Sequence, residues 1–107
     1  EPLRFQSDAG TLALSPGDLA LAQAAEDLNG APQIVLRMSA GAARAFADLT
    51  GRSVGLPLRV YLCDNLLMEP RVGAPIASGM VGFPAPTWDH ALATVAVLRG
   101  KAPCPNG

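Results

Sequence analysis

Between Gly55 and Pro103 short apolar runs alternate with turn-forming residues, and that punctuation leaves few folds open. Leu58-Arg-Val-Tyr-Leu62 is short and suited to a pleated strand, with Pro57 just ahead of it, where a missing ladder donor is tolerated. Cys63-Asp-Asn65 supplies a turn, and Leu66 to Glu69 runs back until Pro70, which cannot donate to a ladder. Pro75 to Phe83 carries Gly79 and Gly82 and predicts an irregular or bulged strand. Thr87 is placed to cap a final helix, with Pro84 and Pro86 excluding an earlier start. In that helix Ala91, Leu92, Val95 and Leu98 are expected to face inward, with Ala96 beside them. Arg99 suits the negative end of its dipole, and Gly100 ends it. The order is strand, tight turn, strand, glycine-rich strand, capped helix.

Upstream, Thr11 to Leu14 reads as a strand bounded by Gly10 and Ser15-Pro-Gly17. Ser15, Pro16 and Asp18 resemble a helix start, with a cap, a proline at the first helical position and an acid in the first turn. The stretch from Leu19 to Leu28 has two readings. Its alanine content favours a helix ended by Asn29-Gly30. Alternatively, a strand over residues 22–27 enters a hairpin at Asn29-Gly30. Gln33 to Met38 is a strand, and Ser39 caps a helix over 40–51 whose Ala42, Phe46 and Leu49 form an inward stripe. Arg44, Asp48 and Arg52 form a solvated row of alternating charge, and Gly51 and Gly55 release the chain. The elements predict a single α+β domain over 1–107. Its mostly antiparallel sheet has four to five strands, including those of Ile34 and Val60, and helices 40–51 and 87–99 pack on one face.

Half of the 107 residues are hydrophobic but only 5% are aromatic, so the core should be aliphatic, with Phe5, Phe46, Tyr61, Phe83 and Trp88 as its large pieces. Net charge is −1 with no basic stripe, which argues against a nucleic-acid partner. No apolar run approaches the roughly 20 residues that span a bilayer. Glu1 in place of an initiator Met suits a mature secreted chain after loss of a signal peptide; a trimmed chain is the other reading. Cys63 and Cys104 suit one disulfide in an oxidising compartment, because Cys104 lies in a Pro-rich tail with little else to hold it. Two unrelated thiols are the alternative. Their spacing fits neither a zinc site nor a redox pair.

The residues that carry chemistry elsewhere have plainer roles here. His90 has no nucleophile with a recognisable motif and reads as a solvated helix residue. Ser78-Gly-Met is not a nucleophile elbow, and Ser39 reads as a cap. Asp64, Glu69 and Asp89 are too scattered for a metal cage, and Gly73, Gly79 and Gly82 do not open into a helix as a phosphate loop does. No catalytic, cofactor or metal site is predicted. A binding surface is: Leu66, Leu67 and Met68 are consecutive, so on a strand at least one points away from the core. With Met80 and Trp88 they make a candidate surface for an extended polypeptide or partner protein. The competing role for Trp88 is to staple the last helix to the sheet.

An ordered set of residues resembles the head subdomain of the large periplasmic domain in the SecD family. The set runs Ile34-Val-Leu36, Gly41-Ala42, Phe46, Thr50, Gly55, Leu58 to Leu62, Asp64, Pro70, Ile76 and Gly79. It continues through Gly82-Phe83, Thr87, Ala91-Leu92 and Leu98-Arg-Gly-Lys-Ala-Pro103; with a looser match at Asp18-Leu19 and Asn29-Gly30 it covers about residues 11–103. The resemblance favours the strand reading of 22–27. It implies a periplasmic or secreted address and a non-enzymatic module that binds a polypeptide or envelope protein, with a link to protein export. An inhibitor or immunity-type protein is the alternative function. The departures are Asn65 where the family turn has Gly, the two cysteines, and the lack in this chain of the family's membrane helices and base subdomain. Transport activity is therefore not carried over.

Overall fold

A computed structural model describes residues 2–104; Glu1 and residues 105–107, the end of the Pro-rich tail, lie outside the described residues. The chain forms β1 (Leu3–Ser7), β2 (Gly10–Leu14), a 3-10 turn (Pro16–Asp18), β3 (Leu19–Glu26), β4 (Pro32–Met38), α1 (Ala40–Arg52), β5 (Arg59–Leu62), β6 (Asn65–Met68), β7 (Met80–Pro84) and α2 (Trp88–Leu98). The class is α+β and every strand pair is antiparallel. The strands divide between two sheets, ordered β2-β1-β5-β6 and β3-β4-β7.

This division departs from the single sheet expected to hold both Ile34 and Val60. The cause is β1, which sequence reading passed over. Leu3, Phe5 and Ser7 alternate inward, and β1 takes β2 on one side and β5 on the other, placing Phe5 opposite Val60. With that partner available, β5 has no need of β4. The helices are correspondingly separated: α2 packs on β3 and β4, whereas α1 touches β2 of the first sheet and β4 of the second. A single core joins the layers. Phe5, wholly buried, meets Phe46 of α1 at 4.7 Å and Phe83 of β7 at 6.5 Å between ring centroids.

In the ambiguous stretch 19–28, Leu19–Glu26 are a strand and residues 27–28 enter the hairpin tip. Its alanines have helix propensity, but the apolar strand β4 needs a ladder partner, and pairing from Glu26↔Pro32 to Leu19↔Met38 supplies it. The hairpin tip explains the choice locally. The Asp27 carboxylate accepts from the backbone N–H groups of Asn29 and Ala31, and Gly30 takes a left-handed φ of 80°. The expected helix start at Ser15 stops after one 3-10 turn. The Asp18 carboxylate accepts from both the backbone N–H and the hydroxyl of Ser15, and Leu19 already begins β3.

Ser39 and Thr87 cap α1 and α2 as expected, accepting from the backbone N–H groups of Ala42 and His90. α1 runs through Gly51 to Arg52, and Ala42, Phe46 and Leu49 are buried. At the end of α2, Gly100 N–H donates to the Val97 carbonyl and Lys101 N–H to the Ala96 carbonyl, a Schellman closure with Gly100 at φ 73°. Arg99 does more than face the dipole: its Nε–H donates to the Ala22 carbonyl of β3 at 2.8 Å. Leu92, expected inward, is half exposed. The buried arc is Ala91, Thr94, Val95, Val97 and Leu98, turned toward Thr94 and Val97 and away from Leu92.

Residues 75–79, expected as part of a strand, are an irregular segment pinned at two points before β7 begins. Thr50, fully buried in α1, donates to the Phe46 carbonyl and accepts from Ile76 N–H at 2.9 Å. Thr50→Val keeps the shape but strands that N–H, so a loss of about 1–3 kcal/mol is expected in urea unfolding. Gly79 has φ 73°, and a Cβ there would lie 2.9 Å from the Ala43 Cβ. Gly79→Ala is expected to cost about 2–3 kcal/mol from the left-handed backbone and the clash together. Ala43→Gly should restore part of that loss, measured by the same unfolding curves.

Candidate functional site

The surface that best fits binding lies where the β5–β6 hairpin faces α2. The hairpin turns on Cys63 and Asp64, with φ values of 51° and 67°, a two-residue geometry that matches strand twist. Asn65 is therefore the first residue of β6, paired with Leu62, and the turn sits one residue earlier than its Asp-Asn pair suggests. Arg4 fixes the outer side of this hairpin: it pairs with Asp64 at 3.0 Å and lies 4.4 Å from the Tyr61 ring centroid.

The ladder pairs Tyr61 with Leu66 and Val60 with Met68, skipping Leu67. That bulge sorts the three consecutive apolar residues. Leu66 stands opposite Tyr61, half exposed. Leu67 and Met68 line two different cavities. Leu67 joins Leu62, Cys63 and Asn65 as one wall of a groove of about 360 Å³, whose other wall is α2, through His90, Ala93, Thr94 and Val97. Ala102 and Pro103 close one end of it. Met68 instead reaches a cavity of about 270 Å³ against the core, which Met80, Val81 and Phe83 of β7 also line.

Of the predicted surface, Leu66, Leu67, Met80 and Trp88 are exposed and Met68 is partly buried. Leu67 belongs to the groove and Met68 and Met80 to the second cavity, while Leu66 and Trp88 line neither. Trp88, at the start of α2, is 44% exposed. Sequence reading missed the groove's helical wall. Its only signal was a run of small residues beside the core stripe of α2, which reads equally well as a helix face close to solvent.

Chemically the groove is apolar and carries no charged lining residue; its polar side chains are Asn65, His90 and Thr94. Among the described residues no cluster of three or more His, Cys, Asp or Glu side chains could hold a metal ion. Strand β6 is the edge of its sheet, and the hydrogen bonds of its backbone among the described residues are those to β5. A groove beside an unpaired edge offers an extended chain ladder partners and side-chain sites together. The groove's end is fixed covalently by a disulfide between Cys63 in the turn and Cys104 in the tail, with 5.6 Å between Cα atoms.

No family model matches the chain. It is 36% identical over 77 residues to the protein translocase subunit SecD of Acidaminococcus fermentans, covering 72% of this chain and 18% of that protein. It is 37% identical over 62 residues to the SecD subunit of Rhodobacter capsulatus, covering 58% of this chain and 11% of that one. The chain therefore spans under a fifth of the length of these relatives. Among solved structures it superposes on SecDF, described as a membrane component that enhances protein export, with a TM-score of 0.78 at 24% identity, covering 89% of this chain and 44% of the other. A crystal structure of SecDF in a super-membrane-facing form gives 0.76 at 27% identity, covering 83% and 12%. No helix of the described residues is long and apolar enough to cross a membrane. In sequence and in fold, this chain is a SecD-like domain.

Proposed function

We propose that this SecD-like domain is a non-enzymatic, export-related module that binds an extended polypeptide segment on the periplasmic side of the cell envelope. The observation that carries the reading is the apolar groove beside the unpaired edge of β6. The likeness to proteins named for translocation and export supports it. A bound segment would extend the first sheet by one strand and set alternate side chains into the groove, where no charged group opposes burial.

The test is binding of a permanently unfolded, carboxymethylated polypeptide, followed by cross-linking from a photoreactive side chain at position 67. Cross-links to the unfolded chain are expected, and none to the unmodified, natively folded form of that polypeptide. Leu67→Asp, which sets an unpaired charge against the groove, should weaken binding about tenfold or more. Equal binding by the Leu67→Asp protein would move the site elsewhere, and no binding at millimolar concentration would sink the reading.

A further inference from the structure

The cysteines have a placement that a simple staple of the tail does not require. The hairpin β5–β6 belongs to the first sheet, whereas α2 packs on β3 and β4 of the second. The groove lies between these two separately anchored walls, and Cys63–Cys104 is the covalent tie across its end. The tail leaves α2 with Lys101 and Ala102 N–H groups both donating to the Ala96 carbonyl. Beyond them Pro103 and Cys104 make no backbone hydrogen bond among the described residues. Pro103 nonetheless forms groove wall, so that part of the wall is held in place chiefly by the bridge. Both cysteines are only half-buried.

We propose that the Cys63–Cys104 bridge is a redox-controlled clasp on this groove. Closed, it fixes the spacing between β6 and α2 and the groove accepts an extended peptide with one apolar, uncharged face. Opened by a dithiol, it releases the tail and the affinity falls. The inference rests on the binding reading above and adds its control. In the opening step one thiolate of the dithiol attacks a sulfur of the bridge, and the S–S bond breaks. A mixed disulfide forms and the other cysteine leaves as a thiolate that takes up a proton. The second thiol of the dithiol then displaces the remaining cysteine. The bridge has gained two electrons and two protons, and the dithiol is oxidised to its own disulfide. The affinity falls because the peptide must then order the tail and the hairpin spacing as it binds, a cost that the closed bridge removes in advance.

The experiment uses a fluorescein-labelled nonapeptide of alternating valine and threonine with a terminal lysine at each end. Anisotropy titrations are run on the oxidised chain, on the chain reduced with dithiothreitol, and on the Cys63→Ser/Cys104→Ser variant. Hydrogen exchange is measured on all three. The expected result is binding about tenfold weaker in the reduced and double-serine proteins, with exchange protection abolished only over residues 59–68 and 97–104 while core amides elsewhere stay protected, lowered by no more than the global loss of stability. Equal affinity in the oxidised and reduced states overturns the clasp and leaves the binding reading intact. Abolished protection throughout the reduced chain also overturns it, since the bridge would then hold the whole fold rather than the groove. No binding in any state overturns the binding reading and the clasp with it.

Discussion

Phe5→Ala is expected to lower the free energy of unfolding by about 3–5 kcal/mol, the range for removing a fully buried aromatic side chain. Phe5 is 0% exposed, and its ring meets one aromatic of α1 and one of β7. It therefore joins the first sheet to the helix and to the second sheet, and a cavity there borders three layers that cannot all collapse into it. Urea unfolding followed by circular dichroism measures the loss. A change below about 1 kcal/mol would mean that the layers are not held through this ring. Leu12, on the neighbouring strand and only partly buried, should tolerate the same truncation better.

The second large effect belongs to the disulfide. Cys63 and Cys104 are 41 residues apart, and closing a loop of that length removes unfolded-state entropy worth about 4 kcal/mol in the chain-entropy model. Cys63→Ser/Cys104→Ser is expected to lose roughly that much and to remain folded at 25 °C, within the usual stability of a domain this size. Guanidinium unfolding of oxidised and double-serine proteins measures the difference. A loss far above 4 kcal/mol would show that the bridge also supports native packing.

The local grammar of the chain was legible because it depends on neighbours in sequence. Ser39 and Thr87 as caps, Gly100 as a stop, and the stripe Ala42, Phe46, Leu49 follow from helix geometry alone. The bridge was legible in part for another reason, two cysteines and a tail with little else to anchor it. The candidate site was less legible. Leu66, Leu67 and Met68 promised an outward residue, and Leu66 is one. Which of the others shares a cavity with α2 depended on a bulge at Leu67, and a bulge depends on the partner strand's register. The inward orientation of Leu92 failed for a related reason. α2 is apolar on more than one side, and only packing on β3 and β4 decides which side is buried.

The likeness to SecD survived the error about the sheets because it rests on ordered local features, each unchanged by which strands pair. Sequence by itself determined the α+β class, both helices with their N-caps, most of the strands, and Gly100 as the stop of the last helix. The tertiary structure decided that β1 exists and claims β5, that residues 19–26 are a strand despite their alanines, and that the hairpin and α2 face each other across a groove. Caps, turns and amphipathic stripes are set by interactions within a few residues. Strand pairing and groove walls are set by contacts between segments tens of residues apart, where many partners satisfy the same local pattern and only the best-packed arrangement of the whole core selects one.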